Sequence, residues 1–130
     1  MQINEINYVD KAEAAIKELG DKHDSKGRKI PIVTTSKIRN LLAMVADIYN
    51  DVINCKEENL SNDVVGRINY MKLRFYYEAG RESSVRRLLE TADIFKIINE
   101  IESSRSNYIL FSRYMEALVA FRKYYGGKDE

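Results

Sequence analysis

Apolar residues recur along this chain with the 3.6-residue period of helices, and runs of strand-like alternation are few. The pattern is densest over 106–125. There Tyr108, Phe111, Tyr114, Met115, Leu118, Val119, Phe121 and Tyr125 fill well over half of a helical wheel. The polar wedge opposite is narrow: Ser112, Arg113, Glu116 and Lys123. A surface helix needs one apolar stripe, so an arc this wide predicts a helix contacted by several others. Gly126 and Gly127 follow directly, and a glycine just past a helix is the usual left-handed C-terminal cap. The spacing predicts an all-α fold, a single-domain bundle of about five helices over 1–130 around a central C-terminal helix.

Upstream, a first helix is predicted from Asn7, whose side chain would cap it, to Gly20. Tyr8, Ala12, Ala15, Ile16 and Leu19 make its apolar face. Residues 21–30 are charged, contain glycine and lack a period, which predicts a mobile loop. A second helix is expected from Thr35 or Ser36 to about Asn54, with Ile38, Leu41, Leu42, Val45, Ile48, Tyr49 and Val52 on one face. A third, capped by Ser61 or Asn62, turns Val64, Ile68, Met71, Phe75 and Ala79 inward before Gly80 interrupts it. Ser83 or Ser84 caps the next. In it Val85, Leu88, Leu89 and Ala92 share a face, while Ile94, Phe95, Ile98 and Ile101 point elsewhere. A straight helix cannot bury both sets against one neighbour, so a bend or break is expected near Thr91–Asp93. Ser103–Ser106 supplies the turn into the last helix.

A chain of 130 residues and 15.1 kDa is large enough for a core without metal or disulfide support. Lys and Arg total 21 against 20 Asp and Glu, so net charge gives no argument for nucleic acid; only local clustering can. The lone Cys55 rules out an internal disulfide and a multi-cysteine zinc site, and suits a reducing compartment. Its place near the end of the second helix fits a buried or edge apolar residue better than a nucleophile. The first residues lack the basic start and apolar run of a signal peptide, and no stretch approaches the roughly 20 apolar residues that span a bilayer. A soluble, cytoplasmic protein without a membrane partner is expected. Glycine-rich phosphate loops, HExxH, CxxC and GxSxG motifs are absent from the sequence. His23 sits in the charged loop with no second histidine to help it, a solvated residue rather than a base or ligand. No catalytic residue, metal site or cofactor is expected.

Two groups of cations stand out. Lys37 and Arg39 lie in the first turn of the second helix, where the dipole disfavours positive charge by a few tenths of a kcal/mol each. The hydroxyls of Thr34, Thr35 and Ser36 stand beside them. The residues fit two readings equally: ordinary capping with exposed basic neighbours, or a phosphate held at a helix N-terminus. On the third helix, Arg67, Tyr70, Arg74, Tyr77 and Arg81 recur at three- and four-residue steps opposite the core face. They form a stripe about 20 Å long. Guanidiniums grip phosphate bidentately and phenol rings offer stacking faces, which is the composition of a single-strand nucleic-acid surface. Taken alone, the residues fit better a packed reading, with the tyrosines against a neighbouring helix and the arginines laid around them. Arg86 and Arg87 face solvent with no special spacing.

Four stretches in register carry a family resemblance: NYVDKAE at 7–13, TTSKIRNLL at 34–42, YYEAGRE at 76–82 and RYMEALVAFRKYYGGK at 113–128. Together they resemble the small helical subunit of type III-A CRISPR-Cas effectors, the Csm complex. The resemblance covers nearly the whole chain and excludes only the loop at 20–30 and the stretch 54–62. It implies a non-catalytic subunit whose copies stack as a filament beside the repeated backbone subunit, along guide RNA and single-stranded target RNA, in antiviral defence. Cleavage and signalling would belong to other subunits, including the large Palm-domain one. It also implies RNA-backbone contact, and for that the five positions Lys37, Arg39, Arg67, Arg74 and Arg81 are expected, with Tyr70 and Tyr77 still packed inward. The alternative is a helical adaptor whose arginine stripe docks on an acidic protein.

Overall fold

Each predicted periodic segment forms a helix, and the expected bend is a complete break. In the computed structural model, which describes residues 1–126, the order is α1 (Tyr8–Gly20), α2 (Thr35–Asn54), α3 (Asn62–Arg81), α4 (Ser83–Thr91), α5 (Ile94–Ile101) and α6 (Arg105–Tyr124). There are six helices rather than about five because Asp93 takes the left-handed conformation, φ 59° and ψ 37°, between α4 and α5. No α-helix continues through such a residue. The kink lets both apolar sets be buried: Val85, Leu88 and Leu89 before it, and Ile94, Ile97, Ile98 and Ile101 after it. No strand occurs among the described residues, only two isolated bridges.

The last helix is central, as its wide apolar arc requires. α6 packs against α1, α2 and α5, while α3 lies to the side against α2 and α4. Tyr108, Phe111, Met115 and Leu118 are fully buried on α6. Two buried hydroxyls find backbone partners: Tyr108 Oη donates to the Val45 carbonyl at 2.7 Å, and Tyr114 Oη to the Ala92 carbonyl at 2.9 Å. Burial drives both phenols above their ordinary pKa, Tyr114 to about 12. The polar wedge is narrower still than the sequence suggests. Ser112 is buried, its Oγ donating to the Tyr108 carbonyl, and Arg122 is 9% exposed, its Nε donating to the Val33 carbonyl at 2.7 Å. At the other edge of the arc, Tyr125 is exposed, its hydroxyl donating to Glu13. Gly126 has φ 93°, the expected left-handed cap; Gly127 lies outside the described residues.

Several ends differ from expectation. Asn7 precedes α1 but makes no cap bond, because its Oδ1 accepts from the Asn4 amide instead. α3 continues through Gly80 to Arg81, and α4 is preceded by Glu82, not capped by a serine. The caps of α2, α3 and α6 are Thr34, Ser61 and Ser104, each accepting from the amide three residues on. Residues 21–30 are built rather than aperiodic. The Asp24 carboxylate accepts from the amides of Lys26 and Arg28 and from Arg28 Nε, closing a tight turn in which Gly27 has φ 80°. Those bonds hold the Asp24 carboxyl below its ordinary pKa, Arg28's amide contributing most.

Residues 55–61 clip two helix ends together. Arg105 donates to the carbonyls of Val52, Ile53 and Cys55 at the C-terminus of α2, where a cation suits the dipole. The Glu58 carboxylate accepts from Ser104 Oγ, Ser106 Oγ and the Ser106 amide at the N-terminus of α6, where an anion suits it. Cys55 is half-buried at this junction, the edge position expected of it.

Candidate nucleic-acid interface

α3 buries one face and leaves much of the other exposed. Val64, Ile68, Met71, Phe75 and Ala79 are buried at three- and four-residue steps, as the period demands. On the outer side Tyr70, Leu73 and Tyr77 are 60%, 61% and 58% exposed. This corrects the packed reading of the two tyrosines. Among the described residues no helix covers them, because α3 packs mainly on α2 and α4, and it is Lys72 and Tyr76 that reach α5. Tyr77 is instead held between two guanidiniums, with Arg74 and Arg81 each under 6 Å from its ring centre at 5.8 and 5.7 Å. Tyr76, one position away, stacks on Phe95 at 3.8 Å.

Four of the five predicted cations converge. Between α2 and α3 runs a groove of about 350 Å³ lined by Met44, Asp47, Ile48, Arg67, Tyr70, Met71 and Arg74. It adjoins a second hollow of about 340 Å³ that shares Met44 and Arg74 and adds Lys37 and Arg81. Arg39 does not join them. It is exposed roughly 200° around α2 from Lys37, at 100° per residue.

Most of these cations already have carboxylate partners. Lys37 Nζ pairs with Glu82, and Arg67 pairs with Asp51 while donating to the Asp47 carbonyl at 3.2 Å. Arg81 pairs with Glu78 at 3.2 Å. Each of these three positions therefore faces a carboxylate in the fold, though as an exposed pair it adds little to stability. Arg74 differs: among the described residues no carboxylate pairs with it, and it borders both hollows. Four cations thus share the face with four carboxylates, Asp47, Asp51, Glu78 and Glu82. At the start of α2, Thr34 Oγ1 accepts from the Lys37 amide at 3.3 Å, so ordinary capping is realised there.

Met44, Asp47 and Leu73 border this surface without having been singled out from the sequence. Met44 and Asp47 stand at i, i+3 on α2, a spacing that marks one helix edge but not which helix lies beyond it. Elsewhere Arg86 pairs with Glu90, and Arg87 reaches back to the Pro31 carbonyl at 3.2 Å rather than only facing solvent. His23 is exposed, its Nδ1 2.9 Å from the Asp21 carbonyl. Among the described residues no group of three or more His, Cys, Asp and Glu is placed to hold a metal ion, and no helix is long and apolar enough to cross a membrane.

A family model described as Csm2 Type III-A matches residues 13–128. A protein of Streptococcus thermophilus named "CRISPR system Cms protein Csm2" is 44% identical over 127 residues, covering 98% of each chain. Proteins of the same name from Enterococcus italicus and Mycobacterium tuberculosis are 35% and 32% identical, covering 78% and 75% of this chain and 77% and 79% of their own.

Proposed function

Because the chain belongs to the Csm2 type III-A family, the small subunit of a type III-A CRISPR complex, we propose that it acts as a non-catalytic, RNA-contacting scaffold within that effector. Copies stack as a filament beside the backbone subunit and the large Palm-domain subunit, along guide RNA and single-stranded target RNA, in the cytoplasm and in antiviral defence. The observation that carries the RNA contact is the outer face of α3. Exposed Tyr70 and Tyr77 alternate there with Arg74, which no carboxylate pairs among the described residues. Arg74 lies over the Tyr77 ring and the uncovered Tyr70 ring stands beside it, so the face offers a phosphate grip and a stacking face together.

The five cations contribute unequally on this reading. Arg74 meets phosphate directly, whereas Lys37, Arg67 and Arg81 must first give up Glu82, Asp51 and Glu78. Arg39 contacts RNA only where the strand also crosses the opposite side of α2. Fluorescence anisotropy of the full chain with labelled single-stranded RNA across a salt series tests this. Arg74→Gln should weaken binding by a similar factor for unrelated sequences, since backbone contacts do not read bases. It should also flatten the salt slope by roughly 0.7, the value for one phosphate contact to a single strand. The melting temperature should stay within about 2 °C, as expected of an exposed surface change.

A second reading has its own support, since paired charges and the exposed Leu73 also suit a protein partner. If Arg74→Gln binds RNA normally but no longer joins the other Csm subunits, this face is a protein interface and the adaptor reading replaces the first.

A further inference from the structure

A face on which four cations stand among four carboxylates has little net field, so phosphate attraction alone gives weak affinity there. The groove between α2 and α3 offers a second source. Its base is apolar: Ile48 and Met71 are buried, and Met44 is half-buried beside them. Met71 is backed by the Tyr108 hydroxyl, 3.9 Å from its sulfur, so this floor rests on the core and does not move freely. Tyr70 borders the groove. Unlike Tyr76 and Tyr77, it has no ring or guanidinium stacked on it among the described residues. The volume, about 350 Å³, sits at the small end of the range for small-ligand sites, roughly 300–1,000 Å³.

Polar groups are few and differ in kind. Arg74 supplies a cation that no carboxylate pairs among the described residues, resting over the Tyr77 ring. Asp47 supplies an acceptor: Arg67 engages its backbone carbonyl, while its carboxylate accepts no hydrogen bond among the described residues. An aromatic face, an apolar floor, one cation and one carboxylate acceptor match a nucleotide whose base carries donors. We propose that this groove takes one unpaired RNA base bearing an exocyclic amine, stacked on Tyr70, with the amine donating to the Asp47 carboxylate and Arg74 holding the adjacent phosphate. Adenine, cytosine and guanine each present such an amine. Uracil presents carbonyl oxygens on both sides of its single N–H, and these oppose a carboxylate lone pair to lone pair. The inference rests on the RNA reading above and adds base preference to it.

The full chain is titrated against labelled single-stranded oligomers of A, C and U at one fixed salt concentration, with C against U as the decisive pair because both are pyrimidines of the same size and differ at the exocyclic amine. The C oligomer should bind at least about fivefold tighter than U, as one amine-to-carboxylate bond implies. Asp47→Asn should bring that ratio towards one, even as loss of a negative charge strengthens both. Tyr70→Ala should weaken the C oligomer at least about fivefold, and Tyr70→Phe should keep parental binding because stacking needs the ring alone. Both side chains are exposed, so these variants should melt with the parent. Equal affinity for C and U, with Tyr70→Ala harmless and Arg74→Gln still weakening both, overturns the base groove and leaves backbone contact standing. If no oligomer binds, and Tyr70→Ala stops the chain joining its partner subunits, the face is a protein interface and both readings fall.

Discussion

Tyr114→Phe isolates one hydrogen bond at the break between α4 and α5. The phenol donates to the Ala92 carbonyl at 2.9 Å, and Ala92 is 2% exposed, so water does not replace the lost donor. The ring stays, and packing is nearly conserved. The cost is that of leaving a buried carbonyl unsatisfied, about 1–3 kcal/mol. For a chain of this length each kcal/mol lowers Tm by about 4 °C, which gives a fall of roughly 4–12 °C. Locally, the next residue, Asp93, holds a left-handed conformation that costs an L-residue about 1–2 kcal/mol. The Ile97 amide donates to the carbonyl of Asp93 itself at 3.1 Å, tying the first turn of α5 to that residue. Hydrogen exchange at Ile97 should therefore accelerate more than exchange in the middle of α2. Calorimetry of parent and variant gives the global term, and exchange gives the local one. A Tm within 1 °C of the parent and unchanged Ile97 exchange would refute the reasoning, leaving isoleucine packing alone to hold the break.

Three further outcomes are expected. Leu118→Ala, at a fully buried position on α6, should cost about 2–5 kcal/mol by chemical denaturation; a smaller loss would mean that α6 is not central. In alkali, Tyr114 is neutral when folded and has its pKa raised from 10 to about 12, with Tyr108 shifted the same way. The folded state then binds more protons, so stability is full below about pH 10 and falls as pH rises towards 12, measurable as urea midpoints over that window. His23→Ala should change neither melting nor RNA binding, since the ring is exposed and its hydrogen bond among the described residues is to the Asp21 carbonyl; a loss of nuclease activity in a purified complex carrying it would contradict this.

The helices were legible in the sequence because burial imposes the 3.6 period on α2, α3 and α6 whatever their neighbours are. The break at Asp93 was legible for a related reason: two apolar sets cannot share one straight stripe. Ends were less so. Asn7 looks like a cap, but the competing amide of Asn4 is nearer in the folded chain. Gly80 looks like a stop, yet the helix runs one residue past it, to Arg81. At the candidate site, the outward stripe of α3 follows from its own period. The cross-helix partners of the site's cations do not, since Glu82 reaches Lys37 and Asp51 and Asp47 reach Arg67 only once helix neighbours and crossings are fixed; Glu78, three residues before Arg81, is a local pair. The exposure of Tyr70 and Tyr77 depends on the absence of a neighbouring helix, and no local pattern encodes that.

The central position of α6 has a consequence for synthesis. A ribosome adding about 5–20 residues per second delivers α1 first and α6 last of the six helices. Until then α1 and α2 lack the helix against which both pack. The Arg122–Val33 bond and the clip through Arg105 and Glu58 are equally out of reach. The emerging chain can form amphipathic helices and pair α2, α3 and α4, but the faces of α1 and α2 that α6 covers stay open until it arrives. Closure of the core therefore waits for α6, and a chain cut short before residue 105 would carry five of the six helices and none of the centre.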